Sequence, residues 1–132
     1  MTDAATAAAL VAGVVLAALA VFQLGLALGA PWGRFAWGGQ HEGRLPGRLR
    51  VGSAVSIVLY ALFAVVLLDR AGLVDLVPDA VARVGAWVLF GYLVLGVGLN
   101  AISRSRAERA VMTPTTLVLA VCALLVALGP RV

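Results

Sequence analysis

The sequence predicts an all-α protein, an antiparallel up-down bundle of four transmembrane helices with a structured loop between the first and second helices. Apolar residues make up 63% of the 132 residues and charged residues only 12%, whereas soluble domains carry about 45–50% and about 25%. A small soluble domain has too much surface to hide such an apolar fraction. All the charged residues also lie outside four long uncharged runs, so lipid is the expected solvent.

The uncharged runs predict four membrane-spanning helices within a single integral membrane domain, 1–132. Each run falls within the range of about 17–25 residues that a helix needs to cross a hydrocarbon core of about 30 Å. Backbone polar groups in lipid must be satisfied within the segment, which favours helices. The first run lacks a basic leader and is long for a signal peptide, so we expect it to remain as the first helix. The predicted helices are 4–28, 51–68, 84–102 and 111–129.

The distribution of arginine predicts the orientation of the bundle. Four arginines lie in the first connection and three in the third, against three on the opposite side of the membrane. Arginine accumulates in cytoplasmic loops. We therefore expect a multi-pass protein of the bacterial inner membrane, with loops 29–50 and 103–110 in the cytoplasm and both termini outside.

The first loop differs in composition from the rest of the chain. Residues 30–50 hold two of the three tryptophans, the only histidine and four of the ten arginines. The indoles of Trp32 and Trp37 suit the headgroup layer, where their N–H groups stay hydrated, and Gly38 and Gly39 permit a turn with positive φ. Loops of this length are usually functional or disordered, and two tryptophans favour order.

Polar residues within the spans fall on shared helix faces. Ser53, Ser56 and Tyr60 follow an i, i+3, i+7 spacing, and Tyr92, Gly96 and Asn100 follow i, i+4, i+8. Unpaired polar groups are costly in lipid, so these faces should point into the bundle. They could serve only for hydrogen bonds between helices, or they could line a polar vestibule open to the cytoplasm.

If there is a vestibule, its walls and rim define a candidate ligand site. The expected ligand is an anionic lipid or a small molecule, because arginines can bind phosphate-like groups; the same arginines could instead act only as topology signals or in an internal salt-bridge network. The candidate ligand-binding residues are Gln23, Trp32, Trp37, His41, Glu42, Arg48, Arg50, Ser53, Ser56, Tyr60, Asn100, Ser103, Arg104 and Glu108.

Several kinds of chemistry are not predicted. His41, Glu42 and Glu108 are too few for a usual metal site, and no catalytic residue or cofactor is assigned. Cys122 stands alone, which excludes an intramolecular disulfide and a CxxC site. The arginines flank apolar runs, which argues against nucleic acid as a partner.

Two local signals concern helix ends and helix packing. Thr113 before Pro114 is a plausible start for the fourth helix. Gly25 and Gly29 form a GxxxG pattern of the kind that lets membrane helices approach closely. Such packing could lie within one chain or between the chains of a homo-oligomer.

Several motifs resemble those of a family of small four-helix bacterial membrane proteins. They are the PWG at 31–33, the GG at 38–39, LPGRLR at 45–50, and the NAISRSRAER segment at 100–109 followed by the TP at 113–114. The resemblance spans most of the chain. It implies the fold and a membrane location, and it implies no particular chemistry.

Three classes of function remain open from the sequence. The first is a protein that binds or transports a small molecule or lipid headgroup through a cytoplasm-facing vestibule; a chain with only four helices would need to oligomerise to form a pore. The second is a structural or accessory subunit whose loops dock a partner. The third is an enzyme that modifies a lipid or isoprenoid, with His41, Glu42 or Glu108 as acid or base.

Overall fold

The computed structural model describes residues 3–129, which form four long helices and, within these residues, no strand. Each helix is long and apolar enough to cross a membrane, so the predicted fold class is confirmed and the chain has the character of a multi-pass membrane protein. Two short 3₁₀ turns, Gly33–Phe35 and Trp37–Gly39, lie in the first loop. The helices are α1 (Asp3–Ala27), α2 (Gly47–Arg70), α3 (Asp79–Ala101) and α4 (Arg106–Leu128).

Three helices begin before their apolar runs. Helices α2, α3 and α4 start four or five residues earlier than hydropathy alone indicates, because a helix can continue past the hydrocarbon while its charged side chains stay in the headgroup layer. Pro46 and Pro78 stand at the caps of α2 and α3.

The predicted start of α4 at Thr113 is wrong. Ser105 caps this helix, its hydroxyl accepting a hydrogen bond from the backbone N–H of Glu108 over 3.3 Å. Pro114 consequently lies inside the helix rather than in its first turn. The capping pattern of a serine followed three residues later by glutamate outweighs the local Thr–Pro signal.

The four helices form a ring in which consecutive helices are neighbours and α4 returns to α1. The pairs α1–α2 and α3–α4 pack closely, whereas α2 and α3 are the most loosely packed consecutive pair. Many large apolar side chains point outward, among them Val14, Leu62, Val88 and Leu95. An apolar exterior of this kind is suited to lipid rather than to water.

The main core lies toward the end of the bundle away from the first loop. Small side chains such as Ala9, Ala12, Ala86 and Ala123 are completely buried there, and small residues allow close approach of membrane helices. At this end the Asp69 carboxylate accepts hydrogen bonds from the backbone of the α2–α3 connection, at 2.6 and 2.9 Å. This end of the bundle is therefore densely packed.

The first loop is ordered by contacts of its own. The backbone N–H groups of Gly33 and Arg34 donate to the carbonyls of Gly43 and Glu42 over 2.9 and 3.2 Å. A second small core beneath the loop joins it to α1 and α2. Its buried members are Leu26, Ala36, Leu45 and Leu49.

Side chains of this loop pack against both glycines of the GxxxG pattern. The indole of Trp32 lies against Gly25, where any Cβ would overlap it, and it stacks on Phe22 with a centroid distance of 6.0 Å. Gly29 lies beyond the end of α1 and faces the guanidinium group of Arg44. The pattern therefore serves loop folding in this chain, rather than the helix packing that the sequence predicts.

Candidate functional site

A cavity of about 930 Å³ lies between the first loop and the helices. It begins beneath the loop and runs into the bundle on the side where α2 and α3 are loosely packed. Its walls come from the loop and from all four helices. The residues that line it are Leu16, Leu19, Trp37, Gly38, Gln40, His41, Arg48, Tyr60, Phe63, Tyr92, Leu93, Leu95, Gly96, Leu99, Asn100, Ile102, Ser103, Arg104, Glu108, Thr116 and Leu119.

The end of the cavity beneath the first loop, here called its outer end, is polar and carries excess positive charge. Arg48 at the start of α2 and Arg104 in the α3–α4 connection both reach it, together with His41 from the first loop. Glu108 is the acidic residue in this lining, and it is 6% exposed. Two segments that are far apart in sequence therefore supply one basic rim.

The inner end of the cavity, which lies within the bundle and farther from the first loop, is apolar and aromatic. Leu16, Leu19 and Leu119 contribute aliphatic surface, and Phe63 and Tyr92 meet with their ring centroids 5.7 Å apart. Tyr92 lies eight residues before Asn100 on α3, which at 1.5 Å per residue is about 12 Å along the helix. The cavity thus changes from polar to apolar over roughly two turns of helix.

A second cavity of about 220 Å³ adjoins the first, and the residues that line both are Leu19, Trp37, Tyr60, Asn100, Glu108 and Thr116. Gln23 lines this smaller cavity and is only 8% exposed. Its Nε2 donates to the Tyr60 hydroxyl over 3.2 Å. Its Oε1 has no hydrogen-bond partner among residues 3–129, which leaves a buried acceptor available in the cavity wall.

Hydrogen bonds hold the polar residues of the α3–α4 connection in place. The Ser103 hydroxyl donates to the Glu108 carboxylate, and the Arg109 guanidinium donates to the Ser103 carbonyl over 2.6 Å. Asn100 Nδ2 donates to Thr116 Oγ1 over 2.8 Å, which joins α3 to α4. Glu108 therefore has a hydroxyl partner that fixes its position in the wall.

The two arginine-rich loops are fastened to each other. The Ser105 hydroxyl donates to the carbonyl of Arg34, and Gly39 lies so close to Ser105 that a Cβ would come within 2.5 Å of the serine Cβ. Trp37, between these contacts, donates its indole N–H to Ser53 Oγ on α2 over 3.1 Å. The first loop is thus a roof over both cavities, and the Trp37 N–H is bound inside the protein rather than hydrated at the headgroup layer.

Most of the sequence-predicted site residues come together around these cavities. Four do not line either cavity: Trp32 stacks on Phe22, Arg50 donates to the Ala27 carbonyl over 2.9 Å, Ser53 lies behind Trp37, and Glu42 is exposed. The ten that line one or both cavities are Gln23, Trp37, His41, Arg48, Ser56, Tyr60, Asn100, Ser103, Arg104 and Glu108.

The cavity walls also contain residues outside the predicted set, among them Gln40, Phe63, Tyr92 and Thr116. Tyr92 could have been included from the sequence, because it shares a helix face with Gly96 and Asn100. Gln40 carries no such signal, since its position depends on the path of the loop.

An acidic cluster lies at the opposite end of the bundle. Asp69, Asp75 and Asp79 bring carboxylate oxygens within 4.8 Å of one another. Asp69 is already the acceptor for two backbone N–H groups, and Asp79 lies in the first turn of α3, where the helix dipole favours negative charge. These structural roles account for the positions of Asp69 and Asp79.

Comparison with protein-family models, curated proteins and solved structures finds no match. The resemblance noted above therefore rests on the motifs alone. The geometry supports one chemical capability, which is to hold an anionic group at the outer end of the cavity and apolar surface at its inner end.

Proposed function

We propose that this chain is a multi-pass protein of the bacterial inner membrane that binds a small molecule or lipid headgroup in the cavity beneath its first loop. The observation that carries the proposal is the convergence of Arg48 and Arg104 on the polar end of a cavity of about 930 Å³. A concave, largely preformed pocket with a few polar groups is the usual form of a ligand site. Transport of the bound molecule is a natural extension of this function.

The chemistry of the rim favours an anionic ligand. Two arginines and a histidine accompany one buried carboxylate there, and guanidinium groups form strong charge-assisted hydrogen bonds with phosphate and carboxylate oxygens. Arginines near the cytoplasmic surface of a membrane also attract anionic lipid headgroups. A phosphate-bearing molecule meets both conditions.

The cytoplasmic orientation of the rim is part of the proposal. Seven of the ten arginines lie at this end of the bundle, four between residues 34 and 50 and three between residues 104 and 109. By the positive-inside rule this end faces the cytoplasm and both termini lie outside. The cavity would then open toward cytoplasmic metabolites and the inner leaflet.

The test compares two double variants of equal charge. The variant Arg48→Gln with Arg104→Gln removes the cationic groups of the cavity, whereas Arg34→Gln with Arg106→Gln removes two exposed arginines of the same segments that do not line it. Binding of glycerol phosphate, a soluble mimic of a phospholipid headgroup, is measured by calorimetry on protein reconstituted in phosphatidylcholine nanodiscs. We expect an affinity loss of about tenfold or more for the first variant alone. Equal losses in both variants would reject a specific site.

A second candidate function is a lipid-modifying enzyme. It is favoured by the presence of His41 and Glu108, two of the three residues predicted as acid or base, in the wall of the same cavity. An enzyme of this kind would lose turnover when His41 is changed to alanine or Glu108 to glutamine, while ligand binding would persist. A protein that only binds its ligand would show no turnover in the wild type either.

A further inference from the structure

An apolar groove continues the cavity along α2 and α3, away from the first loop. It has a volume of about 430 Å³ and lies between α2 and α3, the consecutive helices that are most loosely packed. Phe63 and Tyr92 belong to both spaces. The other residues that line the groove are Leu59, Leu62, Val66, Gly85, Val88 and Leu89.

The groove opens to the outside of the bundle. Leu62 is 55% exposed and Val88 is 66% exposed, so the walls of the groove face the hydrocarbon of the bilayer. Its far end narrows at Gly85, where a Cβ would lie 3.1 Å from a methyl carbon of Val66. A molecule could reach this groove sideways from the bilayer, without passing through water.

The cavity and groove together are longer than the hydrocarbon of one leaflet. Fifteen residues of α3 separate Asn100, at the polar end, from Gly85, at the narrow end, which is about 22 Å along the helix. One leaflet contributes about half of a hydrocarbon core of ~30 Å. The cavity and groove together are therefore long enough for a headgroup followed by an acyl chain.

From the rim to the far end of the groove, the lining changes from polar to apolar, as a phospholipid does from its headgroup to its acyl chain. The basic rim at Arg48 and Arg104 comes first, the aromatic pair Phe63 and Tyr92 follows, and the rest of the groove lining is aliphatic. A wholly polar ligand would fill only the first part of this path. A wholly apolar ligand would leave the arginines without a partner.

We propose that the ligand is an anionic phospholipid whose phosphate lies between Arg48 and Arg104 and whose acyl chain lies in the groove between α2 and α3. This rests on the proposed function and extends it by naming the class of ligand and its route, which is lateral from the leaflet. The roof formed by the first loop covers the headgroup, and the loosely packed α2–α3 pair admits the chain.

The experiment uses the full chain in phosphatidylcholine nanodiscs that contain a small fraction of phosphatidylglycerol with a photoreactive group on one acyl chain. We expect cross-links at 59–66 of α2 and 85–92 of α3. Val88→Trp, which places an indole in the groove, should reduce them several-fold. Val94→Trp is the matched control, because Val94 is an exposed valine of the same helix that lines neither space. The double variant Arg48→Gln with Arg104→Gln should reduce the same cross-links, since it removes the partners of the phosphate.

Other outcomes overturn the inference in distinguishable ways. If wild-type protein binds glycerol phosphate but Val88→Trp and Val94→Trp give equal cross-linking, the acyl chain does not occupy the groove and the proposed headgroup site survives. If neither the binding of glycerol phosphate nor the cross-linking of phosphatidylglycerol depends on Arg48 and Arg104, both proposals fail. A disulfide between two copies of Val88→Cys that excludes the lipid would make the groove an interface of a homodimer instead.

Discussion

The indole N–H of Trp37 donates to Ser53 Oγ over 3.1 Å, and the six-membered ring of the same indole lies against Gly52. Ser53 is fully buried, so the bond is made within the protein. Since Trp37 lines both cavities, this contact fastens the roof of the site to α2. It connects the stability of the loop to the shape of the cavity.

Gly52→Ala should loosen the roof. Its Cβ would lie 2.8 Å from two ring carbons of Trp37, well inside the optimal carbon separation of about 3.5–4.0 Å. We expect a loss of about 1–3 kcal/mol in the free energy of unfolding, measured as a lower thermal midpoint in detergent. A change in tryptophan emission should accompany it, because the indole has to leave its contact with α2.

The matched control is Gly47→Ala, at the start of the same helix, where a Cβ would meet nothing within 4 Å. Alanine is the better helix former, so this variant should be as stable as the wild type or slightly more so. Equal midpoints for the two variants would show that Trp37 is free to move without cost.

Alanine substitutions at Gly38 and Gly39 distinguish the effect of backbone strain from the effect of the contact between the two loops. Both have a left-handed backbone, with φ of 71° and 72°, so alanine at either position costs roughly 1 kcal/mol in conformation. A Cβ at Gly38 would meet nothing within 4 Å, but one at Gly39 would lie 2.5 Å from the Cβ of Ser105. We therefore expect Gly39→Ala to lower the thermal midpoint clearly more than Gly38→Ala.

Limited proteolysis provides a second measurement of the same pair. If Gly39→Ala separates the loops, the Ser105 hydroxyl loses the Arg34 carbonyl and trypsin should cleave the first loop faster than in Gly38→Ala. Identical cleavage rates would mean that the contact between the loops does not hold the roof closed.

The helices were predictable because their signals are local. The length of an apolar run and the positions of arginine are properties of neighbouring residues, and they depend on no tertiary contact. The shared face of Tyr92, Gly96 and Asn100 was equally local, and all three line the cavity. The start of α4 was wrong for a related reason: two capping signals compete within ten residues, and Ser105 with Glu108 forms the cap.

The path of the first loop was not predictable from its composition. Trp32 and Trp37 are the same residue type in the same loop, yet one stacks on α1 and the other bonds to α2. Arg48 and Arg50 are two residues apart, yet one lines the cavity and the other caps α1. Such differences depend on three-dimensional geometry, which composition and periodicity do not encode.

Arg48 and Arg50 should respond differently to the same substitution. The Nε of Arg50 donates to the carbonyl of Ala27 at the end of α1, so Arg50→Gln should lower the free energy of unfolding by about 1 kcal/mol. Arg48→Gln should leave stability nearly unchanged, because Arg48 is an exposed residue, and should weaken phosphate binding. Thermal unfolding and glycerol phosphate calorimetry on both variants check the two effects, and a stability loss confined to Arg48→Gln would contradict the assignment.

The orientation of the bundle can be tested with one cysteine at a time. Cys122 is buried between small core residues, so Cys122→Ala supplies a background without thiols. Gly43→Cys then reports on the arginine-rich end and Asp75→Cys on the opposite connection, both positions being exposed. If the seven arginines at the first end face the cytoplasm, a membrane-impermeant maleimide should label Asp75→Cys in bacterial cells with a permeabilised outer membrane. Gly43→Cys should react only after the inner membrane is broken. The reverse pattern would turn the cavity toward the outside and would require its ligand to come from the outer leaflet.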